Sequence, residues 1–297
     1  MLFSRTSPAQ KRAALRTALN SGKLLRFPGA YSPLVAMLIE RQGFDGVYIS
    51  GAVLANDLGL PDIGLTTLGE VSQRGRAIAR VTELPAIIDA DTGFGEPMNV
   101  TRTVQELEEA GVCGCHLEDQ ENPKRCGHLD GKSLVGTEEM VKKVHAAVTA
   151  RRDPNFIVMA RTDARATEGL ECAISRAKAY VDAGADMIFP EALTDEGEFE
   201  KFRKAIPVPL LANMTEFGKS KLLTTEQLRS LGFNLVIYPV TTQRLAIKAV
   251  EEGLATLMRE GTQEALLTKM QTRAELYELI RYKDYEQIDK DVFKFNL

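Results

Sequence analysis

The chain has 297 residues, of which 44% are hydrophobic, with 37 basic and 41 acidic side chains and a formal net charge of −4. This length suits one α/β barrel, and the apolar fraction is sufficient for a large core. The mild charge without basic blocks excludes a typical nucleic-acid-binding protein, and no apolar run reaches the ~18 residues that a membrane span requires. We therefore expect a globular, cytoplasmic protein with no nucleic-acid or membrane partner.

The N-terminal segment is basic, with Arg5, Lys11, Arg12 and Arg16 among the residues that precede its first acidic residue, Glu40. A bias of this kind also occurs in transit peptides. Ser7 followed by Pro8 is instead typical of a helix N-terminus, and alanine and leucine then recur at helical spacing. The pattern favours an N-terminal helix.

Eight short apolar runs then alternate with amphipathic segments. The runs are Leu24–Ala30, Val47–Ser50, Ala86–Asp91, Cys115–Asp119, Ile157–Thr162, Met187–Glu191, Leu210–Met214 and Leu235–Val240. The amphipathic segments lie near 32–42, 68–82, 99–111, 137–151, 168–183, 195–205 and 224–231. Eight such repeats predict an α/β fold, a (β/α)8 TIM-type barrel, in preference to an open doubly wound sheet of five or six strands.

Polar side chains gather at the C-terminal ends of these runs. They are Ser50, Asp89, Asp91, Glu118, Asp119, Arg161, Asp163, Glu191, Asn213 and Thr215. Parallel strands bring their C-terminal ends to one face of a barrel, and barrel enzymes have their active sites on that face. The pattern therefore indicates an enzyme.

Two of these carboxylates, Asp89 and Asp91, are separated by one residue. Residues two apart on a strand point to the same side, so we predict a carboxylate pair whose repulsion a cation would relieve. Glu118 and Glu191, at the ends of later strands, are candidates to join this cluster. Oxygen ligands without paired histidines favour Mg²⁺, or Mn²⁺, over Zn²⁺. The alternative is a set of ion pairs with basic residues such as Arg161.

The segment Cys113-Gly-Cys115-His116 has the composition of a metal cluster, but it opens an apolar run. Free cysteine is a common core residue, and nothing indicates a disulfide framework. We predict core positions for both cysteines. His116 lies two residues before Glu118, and we interpret it as a residue behind the carboxylates and not a ligand.

The segment that follows Glu118, as far as Gly131, is polar and long for a βα loop, and it contains Lys-Arg-Cys-Gly-His at positions 124–128. Positive neighbours favour the thiolate form of a cysteine. Cys126 is therefore a candidate for proton transfer.

Lys-Arg-Cys-Gly-His resembles the signature of the isocitrate lyase branch of the isocitrate lyase/phosphoenolpyruvate mutase superfamily. The similarity extends over nearly the whole chain. It includes Tyr48–Ala52, Leu60–Gly64, Asp89–Gly95, His116–Gln120, Ala160–Asp163, Phe189–Glu191, Asn213–Gly218 and Met270–Arg273. Ala52 departs from a glycine that is common in the family, which alters the expected shape of the pocket there.

The resemblance implies one barrel domain over residues 1–297, with C-terminal helices at about 242–290 packed on a neighbouring subunit in a helix-swapped homotetramer. It implies Mg²⁺ bound by Asp89 and Asp91, with Glu118 in the outer shell. The implied catalytic residues are Tyr48, Lys124, Cys126, His128 and Arg161. The implied substrate-binding residues are Ser50, Gly51, Ala52, Cys126, Gly127, Arg161, Glu191, Asn213, Met214, Thr215, Arg244 and Arg273.

The resemblance also implies an activity, the Mg²⁺-dependent cleavage of 2-methylisocitrate to pyruvate and succinate in propionate catabolism by the methylcitrate cycle. Arginines would bind the substrate carboxylates bidentately, Cys126 would protonate the carbanion-like product, and Tyr48 is a candidate for the deprotonation. Isocitrate, dimethylmalate and oxaloacetate are alternative substrates, although isocitrate lyases carry a tryptophan near position 52 and this chain has none. The alternative of another class is a non-catalytic barrel that binds dicarboxylates.

Overall fold

The computed structural model describes residues 3–127 and 131–294, so the predicted site residue His128 lies outside the described residues. The strands are β1 (Leu25–Pro28), β2 (Val47–Ile49), β3 (Ala86–Asp89), β4 (Gly114–Glu118), β5 (Ile157–Thr162), β6 (Met187–Pro190), β7 (Leu211–Asn213) and β8 (Leu235–Tyr238). All eight predicted strands are confirmed, with ends that differ by at most two residues.

Thirteen α-helices occur in the described ranges. They are α1 (Pro8–Leu19), α2 (Pro33–Arg41), α3 (Gly51–Asp57), α4 (Leu68–Ala79), α5 (Pro97–Glu109), α6 (Thr137–Ala150), α7 (Ala164–Thr167), α8 (Leu170–Asp182), α9 (Glu196–Ala205), α10 (Thr225–Ser230), α11 (Thr241–Glu260), α12 (Arg273–Leu279) and α13 (Tyr282–Phe293). A 3₁₀ segment, Glu264–Lys269, separates α11 from α12. The helices α3 and α7 are short, and the sequence pattern did not predict them.

The strands close into a barrel. β2 to β6 pair in chain order, and β1 pairs with β8, which pairs with β7, all in parallel. Single parallel bridges, Gly29 with Tyr48 and Ile188 with Leu210, join the two sheets at both edges. This closure confirms the (β/α)8 prediction over an open doubly wound sheet.

The core has two layers because the side chains of each strand alternate between the barrel interior and the surrounding helices. Along β3, Ile87 packs in the interior cluster and Ile88 packs against the helices. Cys113 and Cys115 are buried in these two layers, as predicted. None of the helices in the described ranges is long and apolar enough to span a lipid bilayer.

Helix α1 covers the N-terminal end of the barrel, opposite the polar strand ends. Ser7 caps it through the amide of Gln10, which confirms the predicted helix start. Its buried Lys11 donates through Nζ to the carbonyls of Ala79 and Thr82. This end of the barrel is therefore filled by α1.

Candidate functional site

A cavity of about 60 Å³ lies at the carboxyl ends of the strands. Its lining includes eleven residues predicted for the site: Tyr48, Ser50, Ala52, Asp89, Lys124, Cys126, Gly127, Arg161, Glu191, Asn213 and Thr215. The volume is far below the ~300 Å³ of a small ligand pocket. Lining side chains must therefore move before a tricarboxylate can enter.

Asp89 and Asp91 converge, although not for the predicted reason. β3 ends at Asp89, and Asp91 has a φ of +46°, so the expectation that both point the same way along one strand is wrong. A Cβ placed on Gly51 would lie 3.0 Å from Oδ2 of Asp89 and 3.2 Å from Oδ1 of Asp91. The absence of a side chain at Gly51 thus preserves a small space between the two carboxylates.

The buried acids influence one another electrostatically. Burial and the negative charge of Asp89 raise the pKa of Asp91 to about 6, against the effect of Lys124. Burial would also raise the pKa of Asp89, but electrostatic interactions with His116, Lys124 and Arg161 outweigh it and lower that pKa. Burial raises the pKa of Glu118 well above its usual value. Carboxylates that resist joint ionisation in this way are a typical setting for a bound cation.

These residues fit a magnesium site. Oε1 of Glu118 is buried and has no hydrogen-bond partner within residues 3–127 and 131–294, so it is available to a water or an ion. No three His, Cys, Asp or Glu side chains of the described chain converge as a ready-made metal cage. Mg²⁺ suits such a sparse oxygen site because it keeps several waters and takes only one or two protein carboxylates.

Lys124 neutralises part of this acidic cluster. Its Nζ lies 2.7 Å from Oδ1 of Asp91 and also forms an ion pair with Asp62. The acidic neighbours, Glu118 foremost, raise the pKa of Lys124 although burial opposes them. Lys124 is therefore a permanent cation beside the carboxylates.

Arg161 is a second buried cation, held by acidic groups on several sides. Its Nε lies 2.9 Å from Asp163 and 3.3 Å from Glu118, and its Nη2 lies 3.3 Å from Glu191. Its guanidinium carbon stands 5.0 Å from the centre of the Phe189 ring. A guanidinium held in this way is oriented for bidentate binding of a carboxylate.

Tyr48 and His116 form a buried pair behind Asp89. The Tyr48 hydroxyl lies 2.7 Å from Nε2 of His116, and that nitrogen is 3.6 Å from Oδ1 of Asp89. Burial lowers the pKa of His116 to about 4, although Asp89 opposes it. Burial likewise raises the pKa of Tyr48 well above its usual value. His116 thus lies behind the carboxylates, as the sequence predicted.

Cys126 is partly buried at the cavity wall. The next residue, Gly127, packs so closely on the site that a Cβ there would lie 2.5 Å from Cγ of Glu191 and would clash with Arg161. Glycine is therefore required at 127 for the thiol segment to approach these side chains.

Four predicted substrate contacts do not line this cavity: Gly51, Met214, Arg244 and Arg273. The backbone N–H of Met214 donates to Ile237 O at 3.0 Å and is occupied within the barrel. Arg244 donates to the carbonyl of Glu216 and lines a separate cavity of about 840 Å³. Arg273 is the exposed first residue of α12. The substrate roles of all four residues stay predictions.

Three residues near the thiol were not predicted: Asp62, Gln120 and Lys132. Asp62 lines the cavity, and Gln120 and Lys132 contact the segment that carries Cys126. Asp62 and Gln120 lie in segments that resemble the superfamily, which is a signal that could have identified them, whereas Lys132 had no such signal.

Comparisons with known proteins identify the family. A model described as phosphoenolpyruvate phosphomutase matches residues 15–258. The chain is 61% identical over 287 residues to "Probable 2-methylisocitrate lyase 1" of Corynebacterium glutamicum, covering 96% of this chain and 94% of that protein. It is 50% identical over 293 residues to 2-methylisocitrate lyase of Aeropyrum pernix, covering 98% and 94% of the two chains.

Solved structures agree with this similarity. Oxaloacetate acetylhydrolase in complex with the inhibitor 3,3-difluorooxalacetate superposes with a TM-score of 0.92 at 34% identity, covering 98% of this chain and 100% of that one. Phosphonopyruvate hydrolase in complex with oxalate and Mg²⁺ superposes with a TM-score of 0.87 at 33% identity, covering 96% and 99%. The chain therefore belongs to the phosphoenolpyruvate mutase/isocitrate lyase superfamily, in the group that contains the 2-methylisocitrate lyases.

Proposed function

We propose that this chain is a Mg²⁺-dependent lyase that cleaves 2-methylisocitrate to pyruvate and succinate. The main support for this proposal is that Cys126, Arg161 and Asp89 line one cavity. The chain is also 61% identical to a relative named for this activity. This activity would place the protein in the methylcitrate cycle of propionate catabolism, in the cytoplasm.

Asp89 and Asp91 would hold Mg²⁺, with Glu118 in the outer shell. When bound, the ion supplies Lewis-acid polarisation of the substrate's hydroxyl and carboxylate oxygens. The magnesium and oxalate in the phosphonopyruvate hydrolase structure support this assignment. Mn²⁺ has similar ligand preferences and is the expected substitute.

Arg161 would bind a substrate carboxylate, because its guanidinium reaches the cavity and is already oriented by acidic neighbours. Glu191 and Asn213 stand on the same wall, with Nδ2 of Asn213 3.3 Å from both carboxylate oxygens of Glu191. The incoming carboxylate would compete with Glu191 for Arg161. This competition would favour a multiply charged acid over a neutral ligand.

In the cleavage step the substrate hydroxyl gives up its proton while the carbon–carbon bond breaks, and its carbon becomes the carbonyl carbon of pyruvate. The bonding electron pair stays on the succinate carbon, which then takes a proton from Sγ of Cys126. Tyr48 would take part in this deprotonation: its hydroxyl at the cavity wall would accept the substrate proton while passing its own proton to Nε2 of His116, 2.7 Å away. The predicted tuning of the thiol by His128 involves a residue outside the described ranges.

The experiment supplies Mg²⁺ and, separately, 2-methylisocitrate, isocitrate, dimethylmalate or oxaloacetate, and quantifies all products. We expect equal amounts of pyruvate and succinate from 2-methylisocitrate, and loss of activity after chelation of the metal. Faster glyoxylate release from isocitrate, or acetate and oxalate release from oxaloacetate, would overturn the substrate assignment. Binding without turnover of any acid would indicate a non-catalytic barrel.

We also propose that the chain assembles as a homotetramer in which the C-terminal helices pack on a neighbour. Along α11, four apolar side chains form one stripe at helical spacing: Ile247, Val250, Leu254 and Leu257. Their exposed fractions are 62%, 55%, 61% and 43%. An apolar stripe of this length is unusual on a free surface and suits a subunit contact.

A further inference from the structure

The loop that carries Cys126 is closed at its base by a short backbone ladder. Gln120 forms an antiparallel bridge with Leu134. The N–H of Glu121 donates to Ser133 O at 2.9 Å, and the N–H of Val135 donates to Asp119 O at 3.0 Å. This ladder fixes where the loop begins and ends, but it does not fix the position of Cys126 several residues away.

Two buried side chains hold the residues on either side of Cys126. Nε2 of Gln120 donates to Arg125 O at 2.9 Å, and its Oε1 accepts from the N–H of Arg125 at 2.8 Å. Nζ of Lys132 donates to Gly127 O. The backbone is thus held immediately before and immediately after the thiol.

Lys132 is itself fixed. Its side chain is only 1% exposed, and its Nζ lies 2.8 Å from Oδ1 of Asp163. The N–H of Asp163 in turn donates to Asp119 at 2.9 Å. Burying an ammonium is costly, and the acidic partner offsets that cost while one N–H remains directed at the Gly127 carbonyl. The contact therefore places Gly127 relative to the rigid ends of β4 and β5.

We propose that Gln120 and Lys132 are positioning residues that together hold the thiol of Cys126 at the cavity wall. Neither side chain lines the cavity. Both act through hydrogen bonds to the backbone of Arg125 and Gly127, which do line it. Proton transfer requires the donor within hydrogen-bond reach of the acceptor, so a displaced thiol loses rate even when substrate still binds. The expected effect on turnover rests on the proposed function, whereas the expected effect on the alkylation rate of Cys126 does not.

The test uses full-length protein carrying Cys172→Ser, because Cys172 is exposed whereas Cys113 and Cys115 are buried. In this background, iodoacetamide reports on Cys126. At nearly constant side-chain length, Gln120→Met removes both hydrogen bonds to Arg125, and Lys132→Met removes the hydrogen bond to Gly127 and the ion pair with Asp163. Lys11→Met is the matched control, since it removes a buried ammonium that donates to backbone carbonyls at the opposite end of the barrel.

We expect Gln120→Met to lower kcat by ~10²-fold, the loss typical of a misplaced reacting group, with a much smaller change in KM. Iodoacetamide should alkylate Cys126 faster, and the amide of Arg125 should exchange hydrogen faster. Lys132→Met should act in the same direction, and Lys11→Met should leave kcat and alkylation unchanged. If Lys132→Met does not fold, the kcat, alkylation and exchange results for Gln120→Met are sufficient to test the proposal.

The proposal would be overturned if Gln120→Met showed the same alkylation rate of Cys126 and the same exchange rate of the Arg125 amide as the parent protein. An equal fall of kcat in Lys11→Met would also overturn it. The thiol readouts do not depend on turnover. If no acid is cleaved by the parent protein, the proposed function fails, while altered alkylation and exchange in Gln120→Met still support the positioning role.

Discussion

In the proposed reaction, proton delivery by the thiol of Cys126 is the step that depends most on a single residue. Cys126→Ser keeps the size of the group but replaces a thiol by a much weaker acid. We expect kcat for 2-methylisocitrate cleavage to fall by ~10²–10⁴-fold, the contribution typical of general acid catalysis. Binding of Mn²⁺, measured by calorimetry, should be unchanged because the carboxylates are intact. Near-normal cleavage by this variant would remove Cys126 from the acid role.

Glu83 gives a pH-dependent contribution to stability, remote from the site. It accepts hydrogen bonds from the hydroxyl of Ser4 and the N–H groups of Arg5 and Thr6, at 2.8 to 2.9 Å. Partial burial alone would raise the pKa of Glu83, but these hydrogen bonds outweigh it and lower the pKa to about 2. Since the folded pKa is the lower one, the stabilisation is present above pH ~4.5 and is lost as the pH falls towards 2.

Glu83→Gln should therefore destabilise the protein at pH 7, as measured by urea unfolding, and the difference from wild type should shrink at pH 3. A difference that grows as the pH falls would contradict this account. Glu286→Gln, at an exposed carboxylate of α13, is the control.

Single residues of the site were predictable only in part. Asp89, Cys126 and Arg161 stand out because each breaks an apolar run or carries distinctive neighbours, and each lines the cavity. The contacts of Gln120 and Lys132 depend on how a loop folds back on itself, which no periodicity encodes. For Asp62 the obstacle is distance along the chain, since its partner Lys124 lies 62 residues away.

At the scale of elements, barrel closure depends on close backbone contact where β1 leaves the sheet. A Cβ on Gly29 would clash with the carbonyl oxygen of Pro239 and lie 2.7 Å from its carbonyl carbon. Both partners are backbone atoms of the barrel rim, so neither can yield without disturbing the strands. Glycine at 29 is thus a requirement of the closed fold.

Gly29→Ala should lower the free energy of unfolding by ~1–3 kcal/mol, as overpacking typically does. Urea unfolding followed by circular dichroism measures the change. Gly69→Ala in α4 is the control, because a Cβ there meets only an ordinary contact at 3.8 Å and helical propensity favours alanine. Equal free energies of unfolding for Gly29→Ala and Gly69→Ala would contradict the close contact between Gly29 and Pro239.

The strands and long helices were predictable because alternation and helical spacing extend over several residues in each. The ends of strands were less predictable. β3 stops at Asp89 because the chain adopts a positive φ at Asp91, a turn that the apolar pattern of Ala86–Asp91 does not reveal. The short helices α3 and α7 contain too few residues to show a period.

At the scale of the whole molecule, the apolar stripe on α11 is expected to be buried in the tetramer. Leu254→Glu places a charge in the middle of that stripe and should reduce the mass in solution, measured by light scattering, below that of four chains. Lys248→Glu introduces the same side chain on the same helix outside the stripe and should leave the assembly intact. A monomeric wild-type protein, or a tetrameric Leu254→Glu variant, would contradict the proposed contact.

The proposed function requires that carboxylates at the strand ends hold a divalent cation beside the thiol. Calorimetric titration with Mn²⁺ tests it directly in wild type, in Asp89→Asn and in Asp195→Asn, a control at the surface N-cap of α9. We predict one bound ion per chain for wild type and for the control, and severely weakened binding for Asp89→Asn. Equal affinity of Asp89→Asn and the control would contradict the claim.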